Sequence, residues 1–197
     1  MKKSILVLAL VSLLITSQAS AFYSDHFECD TSQLSFYQKG LQLLVSANKG
    51  NEEQIQILMN PGVKNQVNGY FWQKDEGEDF QMTPLCMAHP KTIPFLMKKS
   101  GNASLPINHP ILKSVLAFQL YLRATDRGNR IPAETMENLK LLVKNGKHKP
   151  LTPENIKVSY EQAFEYLEKN KWKSSYLSTA YDIASDLLKY SLLGKVK

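Results

Sequence analysis

The chain reads as a mainly α-helical protein of about four degenerate helix-pair units stacked in a row, with a hairpin loop inserted among them. Two observations carry that reading. An apolar pair followed by a closing glycine recurs: Ile57-Leu58 before Gly62, Leu96-Met97 before Gly101, and Leu141-Leu142 before Gly146. Each pair belongs to a helical stripe (Ile55, Leu58 and Met59; Ile93, Leu96 and Met97; Leu139, Leu142 and Val143), and a glycine just past such a stripe fits a helix end. A single helix pair cannot bury its apolar face, so neighbours must share one core.

A processing segment precedes the fold. Lys2 and Lys3 lead an apolar run from Ile5 to Ile15, broken by Ser12, and Ala19-Ser20-Ala21 offers small residues to a signal peptidase. The run is shorter than the roughly 20 residues that span a bilayer, so the expectation is cleavage after Ala21 and no membrane insertion afterwards. The resulting chain is an exported bacterial protein, periplasmic or secreted, with a leading segment over 22–33 and one repeat domain over 34–197. Losing Lys2 and Lys3 turns 24 basic residues into 22 against 18 acidic ones, a net of +4. So mild an excess, in an exported chain, argues against nucleic acid as a partner.

The elements follow in order. The first unit, SANKGNEEQIQILMNPG over 46–62, has a turn glycine, Gly50, 12 residues before Gly62. QVNGYFWQKDEGEDFQM over 66–82 is an insertion. RATDRGNRIP over 123–132 is a second insertion, between the two helices of the third unit. A long helix is predicted over 151–170, with Thr152 as N-cap, Pro153 at the first helical position and Glu154 in the first turn. Ile156, Tyr160, Ala163, Phe164 and Leu167 make its apolar stripe.

Thr83-Pro84-Leu85-Cys86-Met87-Ala88 resembles the T-P-L-H-x-A opening of the ankyrin repeat, with Cys86 in the histidine position. Asn108-His109-Pro110-Ile111-Leu112 looks like a degraded third opening, and Thr179-Ala180-Tyr181-Asp182-Ile183-Ala184 like a fourth. The chain is therefore similar to a divergent ankyrin-repeat protein over about residues 34–193. Its closing glycines are 39 and 45 residues apart, against a family period of roughly 33, and the insertions account for the excess. The resemblance implies a two-stranded finger at the first of them, over 66–82. The resemblance implies a surface that grips another protein through finger loops and a concave face.

In this reading the hairpin carries the binding residues. Tyr70, Phe71 and Trp72 are consecutive aromatics beside Asp75, Glu76, Glu78 and Asp79, and aromatic anchors with a charged rim compose binding hot spots. The lysines between Lys140 and Lys173 alternate with Glu154, Glu161, Glu165 and Glu168, as a solvated face does.

The two cysteines, Cys29 and Cys86, both survive cleavage, and an even pair in an oxidising compartment points to a disulfide. It would take over part of the family histidine's job. HFEC (26–29) and CMAH (86–89) leave a zinc set of His26, Cys29, Cys86 and His89 as one alternative, and free thiols as another. His109 and His148 fall at turns and read as solvated. No recognisable catalytic motif surrounds either cysteine. The expectation is a monomeric, non-enzymatic binding protein without cofactor or metal. An immunity protein or inhibitor in the periplasm, a secreted effector gripping a host protein, and a hydrolase with a Cys/His site are the competing settings.

Overall fold

A computed structural model of the chain describes residues 36–59, 67–75, 78–126 and 131–194. The signal segment, the leading segment, Gly62 and Cys29 lie outside them. The described residues form helices α1 (Phe36–Lys49) and α2 (Glu52–Leu58), strands β1 (Phe71–Asp75) and β2 (Glu78–Met82), and helix α3 (Pro84–Met87). A 3-10 turn (Pro90–Thr92) leads into α4 (Ile93–Lys98), followed by α5 (Val115–Thr125), α6 (Ala133–Lys144), α7 (Pro153–Lys169) and α8 (Ser174–Leu193). The chain is mainly helical, as expected. Among the described residues no helix is long and apolar enough to cross a membrane.

The helices pack in two files. α1 packs on α3, α3 on α5 and α5 on α7; beside them α4 packs on α6 and α6 on α8. Cross-contacts α1–α2, α3–α4 and α7–α8 join helices that are neighbours in sequence, and α5 also packs directly on α8 across the files. The stripes named above face this shared core: Leu58, Leu96, Leu139 and Leu142 are each at most 1 % exposed. Ile57 is 44 % exposed and Leu141 is only half-buried, so the first and third apolar pairs each bury one member.

The turns show why the glycines are there. Gly50 sits at φ 72° past the end of α1, and Asn51 N–H then reaches the Ser46 carbonyl at 3.0 Å while the Asn51 side chain caps α2. α4 ends in the same way on a non-glycine: Ser100 takes φ 71° and Gly101 N–H donates to Leu96 O at 2.9 Å. Gly101 is required by space, since a Cβ there would lie 2.8 Å from Leu96 O. After α6, Asn145 holds φ 55° and its N–H donates to Leu141 O at 3.0 Å. Gly101 and Gly146 thus each follow a left-handed residue, and Gly146 is itself left-handed at φ 54°.

Two expected openings are corrected. The third helix of its file starts at Val115 with Ser114 as its cap, so Asn108–Leu112 is not its opening. Residues 179–184 lie inside α8, where Thr179 Oγ1 merely donates to Ser175 O one turn back. Local sequence matched the pattern there, but no turn residue stands in front of it to end one helix and start another. The long helix came out as expected, with a reciprocal Thr152–Asn155 capping box.

Thr83 and Pro84 begin α3 as the sequence predicts, but another residue secures it. Gln119, fully buried on α5, donates its amide to Leu85 O at 2.7 Å, Ala88 O at 3.0 Å and Cys86 O at 3.1 Å. These are the carbonyls a four-residue helix cannot satisfy internally. Replacing Gln119 by Leu strands them in an apolar core. Urea unfolding is expected to show a loss of about 2–4 kcal/mol, far above the few tenths of a typical surface change.

Candidate binding surface

β1 and β2 pair antiparallel with Phe71 opposite Met82, Trp72 opposite Gln81, Lys74 opposite Asp79 and Asp75 opposite Glu78. Five of the seven predicted binding residues (Phe71, Trp72, Asp75, Glu78 and Asp79) therefore share one hairpin, and Glu76 lies outside the described residues. Tyr70 immediately precedes β1 and is 37 % exposed. Partial burial, and then the nearby Cys86, raise its hydroxyl above the ordinary tyrosine range.

The hairpin does not stand alone. Gln81 N–H donates to Asn108 O at 3.3 Å, a one-bridge continuation of the sheet into the loop that precedes α5. That loop folds back on itself through Ile107 N–H to Lys113 O at 3.0 Å, beside the bridge between Pro106 and Ser114. Between it and α7 lies a groove of about 290 Å³. Leu105, Pro106 and Lys113 line one side, and Asn155, Val158 and Gln162 the other. On its floor Ser114 Oγ and Ser159 Oγ are 2.9 Å apart, and Ser159 donates to Asn155 O at 2.8 Å.

His109 anchors the loop and corrects the solvated reading. It is 6 % exposed, and its Nδ1 accepts Leu112 N–H at 2.8 Å and Ile111 N–H at 3.1 Å. Its ring meets Phe118 and Tyr166 edge-on, and Tyr166 in turn meets Tyr121 at 4.9 Å between centroids. Tyr121 and Tyr176 both pack edge-on against Trp172, which extends an aromatic row across α5, α7 and the start of α8. His148 is half-buried, its Nε2 donating to Ser100 O at 3.1 Å. Sequence reasoning missed this surface because its members are scattered from Ala103 to Tyr176. The Ser114 cap was the one local signal near the groove, marking where the loop ends and α5 begins.

Cys86 stands as a thiol at 0 % exposure, and Cys29, its expected disulfide partner, lies outside the described residues. Its Sγ lies 3.5 Å from Thr83 Oγ1. Burial pushes its thiol up to about 11, so at neutral pH it offers no thiolate for attack or metal ligation. His89, the other half of the Cys/His alternative, is only half-buried, and its Nδ1 accepts Lys91 N–H at 3.3 Å. Among the described residues no cluster of three or more His, Cys, Asp or Glu side chains could hold a metal. With the geometry in view, the comparisons add no relative: no protein-family model, curated protein or solved structure matches the chain.

Two outcomes follow from this chemistry. Iodoacetamide at pH 8 should leave Cys86 unmodified in the native protein and alkylate it in denaturant without reductant. Peptide mass spectrometry reads both, and modification only after reduction would restore the disulfide. For His89, burial first and then Arg123 and Lys91 lower the imidazole below its ordinary value. The unfolded chain therefore binds the proton more readily, and stability present above about pH 6.5 is lost as pH falls through the lower folded value. His89→Asn, whose oxygen can accept the same Lys91 amide, should remove that part of the pH dependence. Unfolding curves of the two proteins at pH 8 and pH 5 test it, and a pH-independent difference refutes it.

Proposed function

We propose that the protein is a non-enzymatic recognition module of degenerate ankyrin-like layers, exported to the periplasm or beyond the cell, which binds another protein. The observation that carries this reading is the Gln81–Asn108 bridge, because it joins the hairpin to the wall of the groove in one continuous surface. Two files of helices behind that surface, with left-handed turns at Gly50, Ser100 and Asn145, support the layered reading. The hairpin offers aromatic residues within an acidic stretch, and the groove next to it offers polar side chains around Val158, which is 39 % exposed. Protruding loops held by a rigid scaffold are where binding residues concentrate.

A toxin-neutralising or shielding role in the periplasm suits a small exported binder, and gripping a host protein after secretion is the competing setting. The buried, protonated Cys86 favours either over a Cys/His hydrolase. Capture by the tagged protein from envelope and host extracts, read by mass spectrometry, identifies the partner and the setting together. Tyr70→Ala with Trp72→Ala should leave the circular dichroism spectrum unchanged and reduce capture by roughly tenfold or more, as loss of two aromatic anchors does. Undiminished capture would reduce the hairpin to a structural element.

A further inference from the structure

The groove between the 103–113 loop and α7 has a hydrogen-bonding asymmetry. Gln162 Oε1 accepts Lys113 N–H at 3.1 Å, which consumes its acceptor end and leaves its NH2 group without an internal acceptor among the described residues. Asn155 Oδ1 accepts both the N–H and the hydroxyl of Thr152 at 2.9 Å, and its NH2 group is left in the same way. Ser104 Oγ accepts Asn145 Nδ2 at 2.7 Å, so its own proton remains to be given. All three amide orientations are unambiguous: Gln162 and Asn155 each accept a backbone N–H, and Asn145 accepts Ala103 N–H at 2.7 Å through its oxygen. The one charged residue lining the groove is Lys113, and no carboxylate lines it.

What remains facing a ligand is thus a set of donors with one cation, flanked by the apolar Leu105, Pro106 and Val158. Ser104, Lys113 and Asn155 are exposed and Gln162 half-buried, so water meets these donors in the free protein. A ligand that displaces it must bring acceptors, and the positive charge favours an anionic one. The volume of about 290 Å³ sits at the lower limit of ligand pockets, enough for one or two side chains and too little for a folded element. We propose that this groove binds the side-chain carboxylate of an extended, acidic–aliphatic segment of a partner protein. Lys113 Nζ, Gln162 Nε2, Asn155 Nδ2 and Ser104 Oγ donate to the carboxylate, and an adjacent aliphatic side chain covers Val158. The assignment rests on the protein-binding reading above and gives that surface its chemistry.

The same asymmetry supplies the variants that test it. Gln162→Glu and Asn155→Asp keep the oxygens that accept Lys113 N–H and the Thr152 cap, so the fold is retained. They replace both donor groups with negative charge. The probe is an acetylated, amidated pentapeptide alternating valine and glutamate, titrated to millimolar concentration into the 15N-labelled protein. Its valine–lysine counterpart and a neutral peptide with a free C-terminus serve as controls. The acidic peptide should shift the Ser104, Lys113 and Asn155 backbone amides and the Gln162 side-chain NH2. The double variant should weaken it by roughly tenfold or more and turn the preference towards the lysine peptide.

Absence of shifts at the groove, equal binding of the lysine peptide, or binding only by the free C-terminus would overturn the assignment. Because the titration needs no natural partner, its failure alongside successful capture removes the groove chemistry alone. Failure of capture tests the wider reading separately.

Discussion

Short helices cannot hold themselves. α3 has four residues and α4 six, well below the roughly 12–15 at which an isolated helix becomes even marginal, and both are buried. Their end groups need partners that the helices do not contain, and later parts of the chain provide them. Thr92 Oγ1 donates back to Ala47 O at the end of α1, and Gln119 to the last carbonyls of α3. Asn145 Oδ1 accepts Ala103 N–H, and Gln162 Oε1 accepts Lys113 N–H. Each of these segments is tied by a polar side chain from another part of the chain, and the apolar stripes then seal around these hooks.

The hooks differ in what surrounds them. Gln119 and Asn145 are wholly buried, and Asn145 uses both ends of its amide, binding Asn102, Ser104 and Lys149 as well. Gln119 keeps one unpartnered atom, Oε1, sealed in the core beyond the reach of any ligand. Gln162 is the hook left partly open, at the edge of a concavity, with half of its amide unused. In the proposed groove, a structural tie and a recognition group are the same side chain seen from opposite ends. Its oxygen holds the loop, and its nitrogen faces what lies outside.

Much of the helical framework was legible in the residue order because it follows from local rules. Thr152-Pro153 starts a helix wherever it stands before an amphipathic stripe, and Gly50 ends one because a left-handed residue must follow α1. The hairpin over 71–82 was expected from the resemblance to a family that places a two-stranded finger there, and the strands pair as expected. The same local matching misled at Thr179–Ala184, where a familiar phrase lies inside α8, and at Asn108–Leu112, where a histidine–proline pair makes a buried turn instead of a helix start. The groove could not be read at all, since its two walls are 42 residues apart between Lys113 and Asn155.

The segment around Cys86 illustrates the division. There the residue order pointed to Cys29, the other chemically conspicuous residue, as a partner. The described residues show α3 held by Gln119, a residue with no conspicuous chemistry and no sequence proximity. Residue order by itself determined where helices start and stop and which faces are apolar, because capping, glycine geometry and periodicity act within a few residues. Only tertiary packing decided which polar side chains close the layers and which donor groups are left facing the groove, because a hydrogen bond between distant segments exists only once the chain has folded around it.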